Sequence, residues 1–407
     1  MTIAETDHSE PSALPVEDKH KRPPGPTASL VRSKAFQSSL TFFVFMAVFV
    51  VFSVWLGGTF LNTDARLLNI HQNVPLLLLG LAAMVTLLAG LFDLSIASMA
   101  SLCTFLTIGL RTQQELPFWL VLVICLVIGG LGGLLNGLLV EKLHVNAFIA
   151  TLGTGGLFIG ASRIYADGAA ITPTADSLPI PTWFGSLGAF TERPPQWIPA
   201  VLCIVIAVLA LAALWRARPA RFTPRAWGAV SIAAVVVTVA ILLALGLRSW
   251  VESVSWLVLF LLVVGTVMWV LVDHTVYGRN LKATGSNPLA AQLAGIRTTG
   301  VVIRAFVIGG VLAALAGIVL AATQGSASPD IAGPYLLPAF AAAFLSTVVF
   351  STGRFTVWGT LAGGIFVVWV GQGLISGGLP PTWSSVVNGG VLLLAVALST
   401  VLRRSGR

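Results

Sequence analysis

Charge is what this chain has least of. Only 9% of its 407 residues are Asp, Glu, Lys or Arg, while 56% are hydrophobic. A soluble domain carries about 25% charged residues, so an ordinary water-facing surface is excluded along most of the length. Cysteine is nearly as scarce. Cys103, Cys125 and Cys203 lie far apart within apolar runs, which excludes a disulfide framework and a zinc site of closely spaced thiols. No G-x-x-x-x-G-K-[ST] phosphate loop, H-E-x-x-H or G-x-S-x-G occurs. The chain has no recognisable means of hydrolysing ATP, and no catalytic residue, metal or cofactor is expected of it. His71, His144 and His274 fall at the ends of apolar runs rather than in a cluster, so structural or solvated roles are expected for them.

What fills the sequence instead is a succession of apolar runs. About 20 such residues cross a bilayer as a helix. Runs are read at 36–56, 70–90, 94–110, 117–140, 147–162, 197–215, 226–247, 254–272, 301–322, 333–350, 356–375 and 385–402. Stretches such as Val230–Leu247 are apolar on every face, unlike the alternating segments of a membrane β-barrel. The expected fold is therefore all-α: a polytopic transmembrane helical bundle with about 12 hydrophobic segments, 10–12 of them true spans.

A formal net charge of +8 would suggest nucleic acid in a soluble protein, but the basic residues sit between the runs. With the N-terminus inside, 18 of the 23 Lys and Arg fall on the cytoplasmic side and only Arg66, Arg111, Arg163, Arg193 and Arg248 fall outside. That is the positive-inside bias. It makes both termini cytoplasmic, excludes a nucleic-acid partner, and puts 273–300 inside the cell. Residues 1–33, with five prolines and few apolar residues, read as a disordered cytoplasmic tail; 34–407 form the membrane domain. Trp55, Trp119, Trp197, Trp215, Trp250 and Trp383 lie near run ends, as interfacial anchors do. The glycines of Gly129–Gly137 are expected to let helices pack closely.

One interruption stands out. In Tyr277–Arg297 the apolar pattern gives way to a polar segment in which Asn287 can cap a helix, Pro288 fits its first turn and Gly295 is placed to end it. A short helix between two spans is a handle for a partner. A second interruption contains Asp93, between two apolar runs and beside Ser95. It is read either as a re-entrant or broken helix near a pathway, with Asp93 capping a helix start, or as an ordinary cytoplasmic turn between two spans, where Asp93 is solvated and caps the next helix.

Four segments together resemble the membrane permeases of ATP-binding-cassette importers, specifically the ribose/xylose type. They are Gly90-Leu-Phe-Asp-Leu-Ser-Ile-Ala-Ser98; Asn136-Gly-Leu-Leu-Val140 with Val145-Asn-Ala-Phe-Ile-Ala-Thr-Leu-Gly153; Gly278–Ile296; and Tyr335-Leu-Leu-Pro-Ala-Phe-Ala-Ala341 with Gly353-Arg-Phe-Thr-Val-Trp-Gly-Thr360. The resemblance implies a multi-pass protein of the bacterial inner membrane. Its implied partners are a cassette ATPase that binds the ATP, a solute-binding protein outside, a second permease subunit (a homodimer) and the bilayer. The solute it implies is a monosaccharide such as ribose or xylose. Nucleoside, autoinducer and branched-chain amino acid remain alternatives, and an ion-gradient-coupled transporter is the alternative from another class.

Carried over by the resemblance, Gly285, Asn287, Ala290, Ala291, Gly295 and Ile296 match the motif that couples permease to ATPase. Leu289, Leu293 and Ile296 supply apolar anchors, and the paired alanines allow close approach. Leu289 stands where an acidic residue is common. Candidates for the solute pathway are Asp93, Ser95, Asn136, Asn146, Thr151, Gln372 and Asn388, whose polar groups can meet a hydroxylated solute or bond a neighbouring helix. The 163–196 stretch is the expected extracellular loop for a binding protein. Two departures are three runs where shorter members have one before the coupling segment, and Phe350-Ser-Thr-Gly-Arg354 without the usual glycine doublets.

Overall fold

A computed structural model describes residues 47–202, 204–205, 247–349, 354–383 and 385–393. The tail 1–33, residues 34–46 with the first half of the run at 36–56, most of the runs at 197–215 and 226–247, half of the run at 385–402, the basic loop 216–225, Cys203 and residues 350–353 lie outside the described residues. Within them the chain is helical, without a strand; Ile171 and Ala327 form an isolated bridge.

The principal helices are α1 (Ala47–Leu56), α2 (Thr63–Gln72), α3 (Val74–Leu88), α4 (Ile96–Thr112), α5 (Phe118–Glu141), α6 (Ala147–Tyr165), α7 (Trp256–Trp269), α8 (Val276–Ser286), α9 (Pro288–Leu293), α10 (Thr298–Gln324), α11 (Leu336–Val349) and α12 (Val357–Ser376). Five described helices are long and apolar enough to cross a membrane: α5, α6, α7 with its π-helical extension to His274, α10 and α12. The pair α2 and α3 adds a sixth if counted as one span, bent by 54°. Its cause is local. Pro75 in the first turn of α3 has no N–H to donate to the His71 carbonyl, and its ring would clash with that carbonyl in a continuous helix, so the run expected at 70–90 breaks at Asn73.

Helix α10 runs through the interior against α5, α3 and α4, while α11 and α12 pack on each other and on α3. Every residue of α3 is buried. The contact between α5 and α10 is set by glycine: a Cβ on Gly133 would lie 2.2 Å from the Phe306 carbonyl oxygen, and one on Gly310 would lie 2.1 Å from that of Gly129. This is the close packing expected of Gly129–Gly137. Water drives no apolar association between helices within lipid, so small residues that let backbones touch carry the packing instead. The opposite face of α5 exposes Trp119, Val123, Val127, Leu131, Leu135 and Leu138, an apolar stripe at helical spacing suited to lipid.

The connections gather at two ends. At one, Gly285 meets Leu88 and the backbone of Leu94 meets Thr151. At the other, Arg193 pairs with Asp64 at 3.1 Å, Arg111 Nε donates to the Pro179 carbonyl at 2.9 Å, and His71 joins Ser255 and the Gly188 carbonyl, each at 2.8 Å. His71 is thus a buried structural residue. The 163–196 stretch folds onto this second end, with Phe184 buried in a short helix, Thr182–Gly188, and stacked near Phe118 at 4.6 Å. Cys103 and Cys125 are free and buried, each thiol 3.7 Å from the other's carbonyl oxygen.

Candidate functional site

The polar interruption folds into two short helices joined at Asn287. Helix α8 begins under a Thr275 cap, whose hydroxyl accepts from Gly278 N at 3.2 Å. The Lys282 ammonium forms an ion pair with Asp273 across the bend. Tyr277 is largely buried, which pushes its phenol above the ordinary value, and its hydroxyl donates to the Val301 carbonyl at 3.4 Å.

Helix α9 is the element read from the sequence, and its ends are built as the residue types dictate. The Asn287 side chain accepts from Ala290 N at 3.0 Å, satisfying one of the free donors of the first turn. At the far end Gly295 adopts φ +81°, Gly295 N bonds Gln292 O and Ile296 N bonds Ala291 O, the paired bonds of a Schellman stop. Leu289 and Leu293 point outward, Leu293 at 83% exposed. Ala290 is exposed as well, but Ala291 is only 4% exposed. One alanine of the pair faces outward and the other packs against its own chain. Ile296 is half-buried on the core. Beside the helix a cleft of about 840 Å³ is lined by Asn280, Gln292, Arg297, Thr298 and Arg304.

Gly285 fixes this unit to the bundle. A Cβ there would lie 1.9 Å from the Leu88 carbonyl oxygen, at the end of α3. That helix ends in a second Schellman stop, with Gly90 at φ +82° and bonds from Gly90 N to Leu87 O and Leu91 N to Thr86 O. Asp93 follows, 1% exposed. One of its carboxylate oxygens accepts from Ser95 N at 2.9 Å and from Ser95 Oγ at 2.6 Å. Asp93 therefore braces Ser95, the residue that precedes α4, rather than capping the first-turn N–H groups of that helix as both readings of the sequence expected, and it is buried rather than solvated.

The chain of bonds continues away from the turn. Asn136 Nδ2 of α5 donates to Ser95 Oγ at 2.8 Å, and Thr154 Oγ1 of α6 donates to Asn136 Oδ1 at 2.6 Å. Leu94 N donates to Thr151 Oγ1 at 3.1 Å. Four pathway candidates, Asp93, Ser95, Asn136 and Thr151, are thus brought together, buried and bonded. The other three are not part of this cluster. Asn146 is exposed and caps α6 through Phe148 N at 2.9 Å, Gln372 is half-buried on α12, and Asn388 is half-buried near the C-terminus. Thr154 was missed by the sequence reading. Its signal is the spacing of Thr151 and Thr154, which puts two hydroxyls on one face of a helix.

Residues 69–396 match the family described as Branched-chain amino acid transport system / permease component. The chain is 26% identical over 385 residues to the xylose transport system permease protein XylH of Escherichia coli K12, covering 90% of this chain and 94% of that one. It is 28% identical to the autoinducer 2 import system permease protein LsrC of Photorhabdus luminescens, over 81% of this chain and 79% of the relative. It is 26% identical to the galactose/methyl galactoside import permease protein MglC of Salmonella typhimurium, over 71% and 69%. No solved structure matches.

Proposed function

The chain belongs to this family of membrane permeases, which are not enzymes, and from that premise we propose that it forms the translocation pathway of an ATP-binding-cassette importer, with ATP hydrolysed on a partner subunit. Segment 273–300 is the coupling segment. The observation that carries the reading is α9: a helix capped at one end by Asn287 and stopped at the other by Gly295, presenting Leu289, Ala290 and Leu293 outward while Gly285 seats the segment on α3. An exposed pair of leucines on a fixed helix is an anchor for a groove.

Under this reading the coupling end is cytoplasmic, both termini are cytoplasmic and the spans number ten to twelve, in a bacterial inner membrane. The opposite end, with 163–196 folded against it, receives a solute-binding protein. Two copies enclose the pathway, and α6 is the face we assign to it, because Gly153, Gly156 and Gly160 have nothing within 4 Å of an added Cβ. A monosaccharide is the proposed solute. The near end-to-end correspondence with the xylose permease supports it, and uptake of labelled pentose, hexose and autoinducer by the reconstituted importer separates the choices.

The test of the coupling assignment is capture of the ATPase. The tagged chain, extracted in mild detergent, should bring down a protein with two phosphate-loop nucleotide domains. Leu293→Arg should lower that recovery by about tenfold or more while leaving membrane insertion unchanged, because Leu293 touches little of its own chain. Wild-type recovery from the variant overturns the docking assignment. No ATPase with the wild type, together with uptake that follows an ion gradient, overturns the importer reading.

A further inference from the structure

We infer that the buried chain Asp93–Ser95–Asn136–Thr154 is a positioning latch that makes α6 follow the coupling segment. Its role in transport rests on the function proposed above; the mechanical link itself is a property of this chain alone.

The link begins where Gly285 touches Leu88. An added Cβ would stand 1.9 Å from the carbonyl oxygen and 2.9 Å from the carbonyl carbon of Leu88. Two backbones meet with no side chain between them, so displacement of α8 and α9 passes directly to the end of α3. The turn beyond is stiff: the Gly90 stop holds one side, and Asp93 binds both the N–H and the hydroxyl of Ser95 on the other.

From this turn the connection reaches α6 by two routes. In the first, each donor is used in one direction: Thr154 Oγ–H to Asn136 Oδ1, Asn136 Nδ2–H to Ser95 Oγ, and Ser95 Oγ–H to the Asp93 carboxylate. In the second, Leu94 N–H donates to Thr151 Oγ1, whose own proton goes to the Ala147 carbonyl. All these side chains are buried. A donor pulled from its partner there finds no water, so the groups move together more readily than they separate.

Helix α6 is the element such a latch can move. Its inner side rests on α4, where Gly155 lies near Ser95 and Ser98. Its outer side exposes Phe148, Ile149, Leu152, Leu157 and Ile164. Held on one side and open on the other, α6 takes its position from the turn.

The isolated chain in lipid nanodiscs tests the link without any ATPase. Gly285→Ala forces a methyl group against Leu88, and the readout is the rate at which a cysteine at exposed Ile149, near the coupling end of α6, in a chain with its native cysteines replaced by alanine, reacts with a soluble thiol reagent. Gly285→Ala should change that rate by about threefold or more, and Thr154→Val should lower the change by about half or more, the route through Thr151 being left intact. An equal response with and without Thr154→Val, or no response in either, overturns the latch. Should Gly285→Ala fail to insert, the reconstituted importer decides: Thr154→Val should lower solute moved per ATP hydrolysed by about tenfold with ATPase binding intact, and Thr154→Ser should restore it. An unchanged ratio in Thr154→Val overturns the latch. Loss of ATP-driven uptake in the wild type would instead strike the importer reading, and the nanodisc result stands apart from it.

Discussion

Helices α10 and α6 are both apolar, both rich in small residues and both long enough to cross a bilayer, yet they occupy opposite surroundings. Of the apolar window of α10, 72% is buried, against 39% of that of α6. The first is enclosed by α3, α4 and α5, with Gly310 against Gly129. The second leaves Gly153, Gly156 and Gly160 open. Composition does not separate them. What does is whether a neighbouring backbone fits the glycine face, since in lipid close contact rather than escape from water decides which helix is enclosed. An enclosed helix and a helix with an open face can therefore be equally rich in small residues.

The comparison breaks most forcefully at Gly133. A valine there would put its Cβ 2.2 Å from the Phe306 carbonyl oxygen, and backbone cannot yield as a side-chain tip can. Gly133→Val should destabilise the bundle by about 3 kcal/mol or more, read as lost monodisperse yield and a lowered Tm in detergent. Retention of wild-type stability would show that α5 and α10 are not held as described.

A smaller effect is expected at α9. Asn287→Ala removes the side-chain acceptor of Ala290 N and should cost about 1 kcal/mol of local helix stability. Faster amide exchange confined to α9, with the Tm of the bundle unchanged, is the expected result. The smallest effect sharpens the contrast with Gly133. Gly156→Ala adds a methyl group that meets nothing within 4 Å, so the isolated chain should gain only about 0.5–1 kcal/mol from helix propensity. If the second copy packs on this face, the same substitution should weaken dimer recovery in crosslinking. A large loss of monomer stability would place α6 in the core.

Much of the fold was legible because span-forming sequence is local and repetitive. The runs read at 117–140 and 356–375 correspond to Phe118–Glu141 and Val357–Ser376. The break at Asn73 was not read, although Pro75 carries its cause. Helix α9 was legible for the same reason as the spans: an Asn cap, a proline in the first turn and a glycine stop act within a few residues of one another. Which alanine of the pair would face outward was not legible. Ala290 and Ala291 are neighbours in sequence, and the mounting of α9 on the bundle turns one out and the other in.

The polar residues in the membrane divide along the same line. Asp93, Ser95, Asn136 and Thr151 could be picked out one by one, as polar groups in apolar sequence that must find partners. That they find one another was a matter of tertiary structure, since Asn136 lies 41 residues from Ser95 and the meeting depends on how α4, α5 and α6 converge. The sequence by itself determined the helical membrane class, the family and the two ends of α9, because apolar length, capping and glycine stops act through nearest neighbours. Only the tertiary structure decided that Gly285 presses on Leu88, that Thr154 completes a bonded chain, and that α6 keeps an open glycine face, because each is a contact between backbones or side chains that the chain brings together only when it folds.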